Sequence, residues 1–334
     1  MSYTYDDVQL IPKYSNIASR QEVDISSYLT KNKKLTLPFI ASPMDTVCET
    51  MMASILSKNG GIGCIHRFMS IEEQSNMIKV LKSSNKDNLT MAAIGANGDY
   101  LERAHELYQA GADFLLIDVA HGHHENVKNA LSILKSGYDI KIIAGNIATG
   151  KAAVNLSEWG ADCLRVGIGG GSLCTTRIQT GFGIPNITTI INVSEALQNS
   201  NFDTPIIADG GIRSSGDIAK ALAAGADTVM LGSLLAGTFE SPGDIMNNGN
   251  KRYRGSASLE TKVAHGQKER NVEGASTEIK YKGTAEKIIN SLADGVKSAF
   301  SYMGARNISE YHSKAEFVYV TNAGIIEAKP HLIS

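Results

Sequence analysis

The sequence predicts a (β/α)8 barrel, and three observations carry that expectation. Eight short apolar runs rich in β-branched residues lie between residues 37 and 237, each followed by a helix-like segment. A helix-to-strand joint recurs three times, at Ala110-Gly111-Ala112-Asp113, Trp159-Gly160-Ala161-Asp162 and Ala224-Gly225-Ala226-Asp227. The turn after the first run lacks the GxGxxG spacing of a doubly wound dinucleotide-binding sheet.

Taken in order, the runs are Leu37–Ser42, Gly61–His66, Met91–Gly95, Phe114–Val119, Lys141–Asn146, Cys163–Gly167, Pro205–Asp209 and Thr228–Leu231. None alternates apolar with polar residues, as expected of parallel strands buried on both faces. At each repeated joint the Gly stops the preceding helix and the Asp opens the strand. After the eighth run, Phe239 to Lys282 is polar and punctuated by Gly243, Gly255, Gly266 and Gly274, without a sustained period, and reads as a flap of about 239–282. A closing helix is expected from Thr284 to Met303, and the apolar run Phe317-Val318-Tyr319-Val320 in the tail is available to pair or dock. Residues 1–334 are therefore read as a single barrel domain.

Composition narrows the function. The chain of 334 residues is 43% hydrophobic with a net charge of −2 and no long basic block, which argues against nucleic acid or an anionic membrane as partner. Met1 to Asp7 carries neither a basic segment nor an apolar run, and no 18-residue apolar stretch occurs, so a cytoplasmic protein is expected. The four cysteines, Cys48, Cys64, Cys163 and Cys174, show no CxxC spacing and support neither zinc nor a disulfide framework.

In such barrels the ligand sits at the C-terminal ends of the strands. There this chain places Ser42-Pro43-Met44-Asp45, His66-Arg67, Asp118–His121, Gly145-Asn146, Asp209-Gly210-Gly211 and Gly232-Ser233. The segment Gly167-Ile168-Gly169-Gly170-Gly171-Ser172-Leu173-Cys174-Thr175-Thr176-Arg177 presents one thiol between a glycine run and two hydroxyls, the layout of a nucleotide site with a covalent nucleophile. Glycine turns at Gly211 and Gly232 with Ser172 suit a phosphate, and Asp209 suits paired ribose hydroxyls. His121, His123 and His124 fit no common zinc spacing and read as polar rim residues.

These segments carry a resemblance. Tyr5-Asp6-Asp7-Val8, Ser42-Pro43-Met44-Asp45-Thr46-Val47, Ile117–His123, Ala144-Gly145-Asn146, Gly171–Arg177 and Ile207–Arg213 resemble the inosine monophosphate dehydrogenase / guanosine monophosphate reductase family over nearly the whole chain. The resemblance implies a homotetrameric barrel that binds a purine mononucleotide and a nicotinamide cofactor, with a bond from Cys174 to purine C2. It further implies mononucleotide contacts at Ser42, Met44, Ser172, Asp209, Gly210, Gly211, Gly232, Ser233, Tyr253 and Gly255. Cofactor contacts are implied at Asp118, Val119 and Ala120. A monovalent cation such as K+ is implied on backbone oxygens of Gly169, Gly171 and Cys174, with Glu327 of a neighbouring subunit contributing. Gly170 stands where the family usually has Pro, a departure expected to loosen the loop.

Both activities of the family share the covalent adduct and a hydride transfer at C2. The dehydrogenase pattern supplies an Arg-Tyr pair on a long flap to activate water, and this chain has no Tyr between Gly255 and Glu273. Its flap is shorter and Asn271-Val272-Glu273-Gly274 resembles the reductase segment, so the expected activity is GMP reduction with NADPH, with Cys174, Thr176 and Glu273 catalytic. Tyr253-Arg254-Gly255-Ser256 and the tail from Thr321 to His331 look more like an NAD-dependent IMP dehydrogenase, the alternative, in which His265, Arg270 or Arg254 would activate water. A second alternative is an idle purine-nucleotide sensor, against which Cys174 and Thr176 both speak. No regulatory domain pair interrupts strands two and three.

Overall fold

The computed structural model describes residues 1–264 and 272–330. Eight parallel strands close a barrel: β1 (Phe39–Ala41), β2 (Ile62–Ile65), β3 (Met91–Ile94), β4 (Phe114–Asp118), β5 (Lys141–Ile147), β6 (Cys163–Val166), β7 (Ile206–Asp209) and β8 (Thr228–Leu231). Each lies within two residues of its expected run. Closure is direct, since Val229, Met230 and Leu231 pair in parallel with Phe39, Ile40 and Ala41.

The runs lack alternation because both faces are covered. Inward residues Ile40, Ile62, Met91, Phe114, Ile143, Ile207 and Met230 form one buried cluster, which Leu29 and Leu35 complete from an N-terminal hairpin of Ser27–Thr30 and Lys33–Leu35. Outward residues such as Phe39, Ile65, Leu115 and Leu164 pack against the helix layer. The hairpin fills the barrel interior from the end opposite the strands' C-termini, leaving that other end open to solvent and ligand.

The connecting helices are α1 (Thr50–Lys58), α2 (Ile71–Ser84), α3 (Tyr100–Gln109), α4 (Glu125–Gly137), α5 (Gly150–Glu158), the short α6 (Thr176–Thr180), α7 (Asn186–Asn199) and α8 (Ser215–Ala223). Several starts are capped as their sequences dictate: Ser70 and Glu73 form a reciprocal box on α2, Thr149 caps α5 and Ser214 caps α8. His124 does the same for α4, accepting the Asn126 N–H on Nδ1, and His123 contacts Asn155 and Trp159.

The three repeated joints share one geometry. Gly111, Gly160 and Gly225 take φ of +92°, +95° and +108°, turning the chain out of α3, α5 and α8. The following Asp reaches sideways: Asp113 accepts the Thr90 N–H, Asp162 the Ile142 N–H and Asp227 the Ile206 N–H, each 2.8 Å away at the start of the preceding strand. The Asp thus latches two adjacent strands at the barrel floor. Lys82 and Lys135 pair with the first two carboxylates. Asp227 has no paired lysine among the described residues, and burial raises its pKa to about 7.

The segment after β8 differs from the irregular flap expected. Asn250–Arg254 and Ser276–Lys280 pair as an antiparallel ribbon, with a short helix Leu259–Ala264 beyond it. Lys251 and Tyr253 face inward while Arg252 faces out, a period of two hidden from sequence because the inward Lys251 is charged. Its ammonium donates to the carbonyls of Thr238 and Ser241. The closing helix α9 in the barrel wall runs over Ala285–Met303 as expected. The tail strand Phe317–Tyr319 pairs antiparallel with Val8–Leu10 of the same chain. No helix among the described residues is long and apolar enough to cross a membrane.

Candidate active site

The residues expected to be catalytic and those expected to contact the mononucleotide, the nicotinamide or, through Gly169, Gly171 and Cys174, the cation line one cavity of about 330 Å3 at the C-terminal rim, whereas Arg254 does not line it. They arrive there from five different strand ends and from the flap, so it is the closed barrel, not chain proximity, that assembles them. Glu327 ends a tail helix, Asn322–Glu327, outside this lining. His265, Arg270, Asn271 and His331 lie outside the described residues.

The nucleophile candidate stands at one end of a hydrogen-bonded chain. Cys174 Sγ donates to Thr176 Oγ1 at 3.2 Å, and Thr176 Oγ1 donates to Glu273 Oε2 at 2.7 Å. Two protein segments nearly a hundred residues apart are thereby joined, and their backbones agree: Thr175 N–H donates to the Glu273 carbonyl and Ala275 N–H to the Leu173 carbonyl. Of the four thiols this one alone is half-exposed, while burial pushes those of Cys48, Cys64 and Cys163 up. Thiol, hydroxyl and carboxylate in this order form a path along which a proton can pass to or from a group bound at Cys174.

Arg177 is engaged by backbone carbonyls on both sides of the loop. Its guanidinium donates to the Ile168 carbonyl at 3.0 Å and the Ile184 carbonyl at 2.7 Å, and its side chain fills the space beside Gly169 and Gly183. It therefore braces both ends of the Cys174 loop. The Gly171 carbonyl, one of the oxygens expected to hold a monovalent cation, accepts the Cys174 N–H at 3.1 Å and keeps a second lone pair free in principle for an ion.

Against the Cys174 loop, Gly210 and Gly211 take φ of +93° and +75°, a turn that only glycine adopts without strain. Ser172 and Tyr253 share a hydroxyl–hydroxyl contact of 3.0 Å, and burial raises the Tyr253 pKa while the Ser172 bond draws it back. A side chain at Gly232 would lie 3.3 Å from the Tyr253 hydroxyl and 3.5 Å from Met44 Sδ, so its absence opens the pocket between them. Clustered hydroxyls and glycine backbone amides suit a phosphate group.

Sequence reasoning missed the residue that joins the two halves of the cavity. Arg165 in β6 is buried, with Nη1 on Asp118 at 2.6 Å and Nε on Asp209 at 2.9 Å. Asn146 Nδ2 adds a bond of 2.7 Å to the same Asp209 oxygen, and Arg67 donates to the Asp118 carbonyl. One cation thus holds the carboxylate expected beside the nucleotide ribose and the one expected beside the nicotinamide. The signal was present: a charge in an otherwise apolar strand buried on both faces requires counter-ions. Arg254 is likewise committed, to Asp45 at 2.7 Å, which anchors the ribbon to the loop after β1.

Comparison with known proteins agrees with this geometry. The sequence model described as IMP dehydrogenase / GMP reductase domain matches residues 2–331. Inosine-5'-monophosphate dehydrogenases of Borreliella burgdorferi and Cryptosporidium parvum are each 39% identical over 98% of this chain, covering 96% and 94% of those proteins. A Cys-to-Ala variant of GMP reductase from Trypanosoma brucei, solved in complex with guanosine 5'-monophosphate, superposes with a TM-score of 0.93 at 30% identity, covering 100% of this chain and 98% of that one. The chain belongs to the IMP dehydrogenase / GMP reductase family of oxidoreductases.

Proposed function

We propose that the protein is a GMP reductase, converting GMP and NADPH to IMP, ammonia and NADP+. The observation that carries this reading is the Cys174–Thr176–Glu273 chain, which places a carboxylate 2.7 Å from the hydroxyl that touches the thiol. The GMP complex of the similar T. brucei enzyme supports a purine mononucleotide as substrate.

Cys174 thiolate attacks C2 of GMP, and the bond to the 2-amino group breaks as Glu273, through Thr176, delivers the proton that lets ammonia leave. Bound NADPH supplies a hydride to C2. Thiolate then departs from C2, leaving IMP. Ser172, Gly211, Gly232, Ser233 and Tyr253 hold the phosphate and Asp209 the ribose, with Ser42, Met44, Gly210 and Gly255 completing the pocket. Asp118, Val119 and Ala120 border the nicotinamide, a fit supported by their place in the same cavity as Cys174. We further assign a monovalent cation, K+, to the carbonyls of Gly169, Gly171 and Cys174, a cytoplasmic homotetramer as the working form, and a single barrel domain without a regulatory pair.

A second reading, NAD-dependent IMP dehydrogenase, is favoured by the names of the relatives similar in sequence. It requires a group to activate water, and Arg254 is poorly suited because Asp45 and the ribbon hold it. Absorbance at the reduced-nicotinamide band, followed in GMP plus NADPH and in IMP plus NAD, tests both. Loss of the band in the first with ammonia release is expected, and a gain in the second alone would overturn the reductase.

A further inference from the structure

Gly170 has no backbone reason to be glycine. Gly169 and Gly171 flank it, and Gly169 takes a φ of +75°, but Gly170 itself lies outside the left-handed region, where any residue fits. The obstacle is space. A Cβ at Gly170 would lie 2.7 Å from Nδ2 and 2.8 Å from Oδ1 of Asn186.

Asn186 is the first residue of α7, 6% exposed, and its Nδ2 donates to the carbonyls of Asp209 and Gly210. The turn it holds presses on the Cys174 loop backbone to backbone: a Cβ at Gly210 would lie 3.1 Å from the Gly171 nitrogen, and one at Gly211 3.1 Å from the Gly170 oxygen. Beneath them sits the buried Tyr5, whose ring would be 3.6 Å from a Cβ at Gly211. Neither the Tyr5 hydroxyl nor Asn186 Oδ1 has a well-formed hydrogen bond among the described residues. The N-terminal segment is itself fastened there, with Asp6 on Arg213 and the Tyr5 carbonyl on Lys220. The loop is thus filled from below.

We propose that Asn186 is a positioning residue for the reaction: it fixes the Cys174 loop against the Asp209–Gly211 turn, and Gly170 is glycine because Asn186 occupies the space of a side chain. The proposal rests on the reading of Cys174 as nucleophile toward a mononucleotide held by that turn. The nucleophile's loop and the nucleotide's turn are separate segments, so their mutual placement sets how Sγ meets the reacting carbon, and a misplacement of about 1 Å costs on the order of a hundredfold.

The test compares the full-length protein with Asn186→Ala, Asn186→Asp, Gly170→Ala and the double variant Gly170→Ala/Asn186→Ala. Each is assayed for kcat and KM in whichever nucleotide mixture the unmodified protein turns over, for alkylation of Cys174 by iodoacetamide without nucleotide, and for its thermal midpoint. Asn186→Asp keeps the shape but has no N–H to give, so it is expected to resemble Asn186→Ala, with kcat down about 10- to 100-fold. Alkylation, which needs no aligned substrate, is expected to change less than about threefold. The kcat of the double variant is expected to exceed the product of the two single effects by at least about fivefold, because truncating Asn186 frees the space that a Cβ at Gly170 needs. A kcat for Asn186→Ala within twofold of the unmodified protein, or strict additivity, overturns the proposal. A drop in alkylation that matches the drop in kcat also overturns it, since the defect would then lie in the thiol. An unmodified protein active on neither mixture would overturn the nucleophile reading instead, a result distinct from an active protein indifferent at Asn186.

Discussion

Thr176 touches both the thiol and the carboxylate, so removing its hydroxyl cuts the chain without moving either end. Thr176→Val preserves shape and is expected to lower kcat by about 10²- to 10⁴-fold with a small change in KM, measured in steady-state assays of the active mixture. Arg165 carries a different burden. Replacing it with Met leaves Asp118 and Asp209 facing each other without their shared cation, at a cost of about 3–5 kcal/mol for a broken buried pair. Urea denaturation of Arg165→Met should show the loss, and nucleotide binding should fall with it. At this scale the sequence was legible where a residue's chemistry is unusual for its place. Cys174, Asp209 and the glycine turns announce themselves at strand ends. Asn186 does not, because an amide at a helix start has an ordinary capping use, and its partnership with Gly170 exists only once two loops have been folded together.

The strands were readable because burial on both faces strips polar residues from them, leaving runs that lie within two residues of the observed strands. The ribbon after β8 was not, since Lys251 and Arg252 alternate inward and outward with the same charge and conceal the period. The floor latches show how a short repeat encodes a joint: glycine turns the chain and aspartate ties it to the strand before. They are not equivalent electrostatically. Asp227, with its pKa raised to about 7, holds its proton in the folded state more tightly than an exposed carboxylate near 3.8. Its contribution to stability is therefore fully present below about pH 4 and is lost as pH rises through about 7. Asp227→Asn keeps an acceptor for the Ile206 N–H and cannot ionise. Thermal midpoints of Asp227→Asn should vary less between pH 4 and 8 than those of the unmodified protein, and should be higher at pH 8.

For the whole molecule, the barrel separates tasks by end. Aspartate latches and an inserted hairpin secure the floor, while the rim is left to loops that Arg165, Arg177, Arg254, Asn146, Asn186 and a two-strand ribbon hold in register. The same division governs the thiols. Three of the four are sealed at 0% exposure within or behind the barrel wall, and only Cys174 is half-exposed. A small alkylating reagent added to the folded chain should therefore modify one cysteine, and four after denaturation, as counted by intact mass. Bound GMP or IMP should slow that single modification. The protein consequently arrives with one native conjugation handle at its most informative point: a fluorophore or affinity tag can be installed there stoichiometrically without engineering away any other cysteine, and the yield of the coupling reads out how many pockets in a preparation stand open.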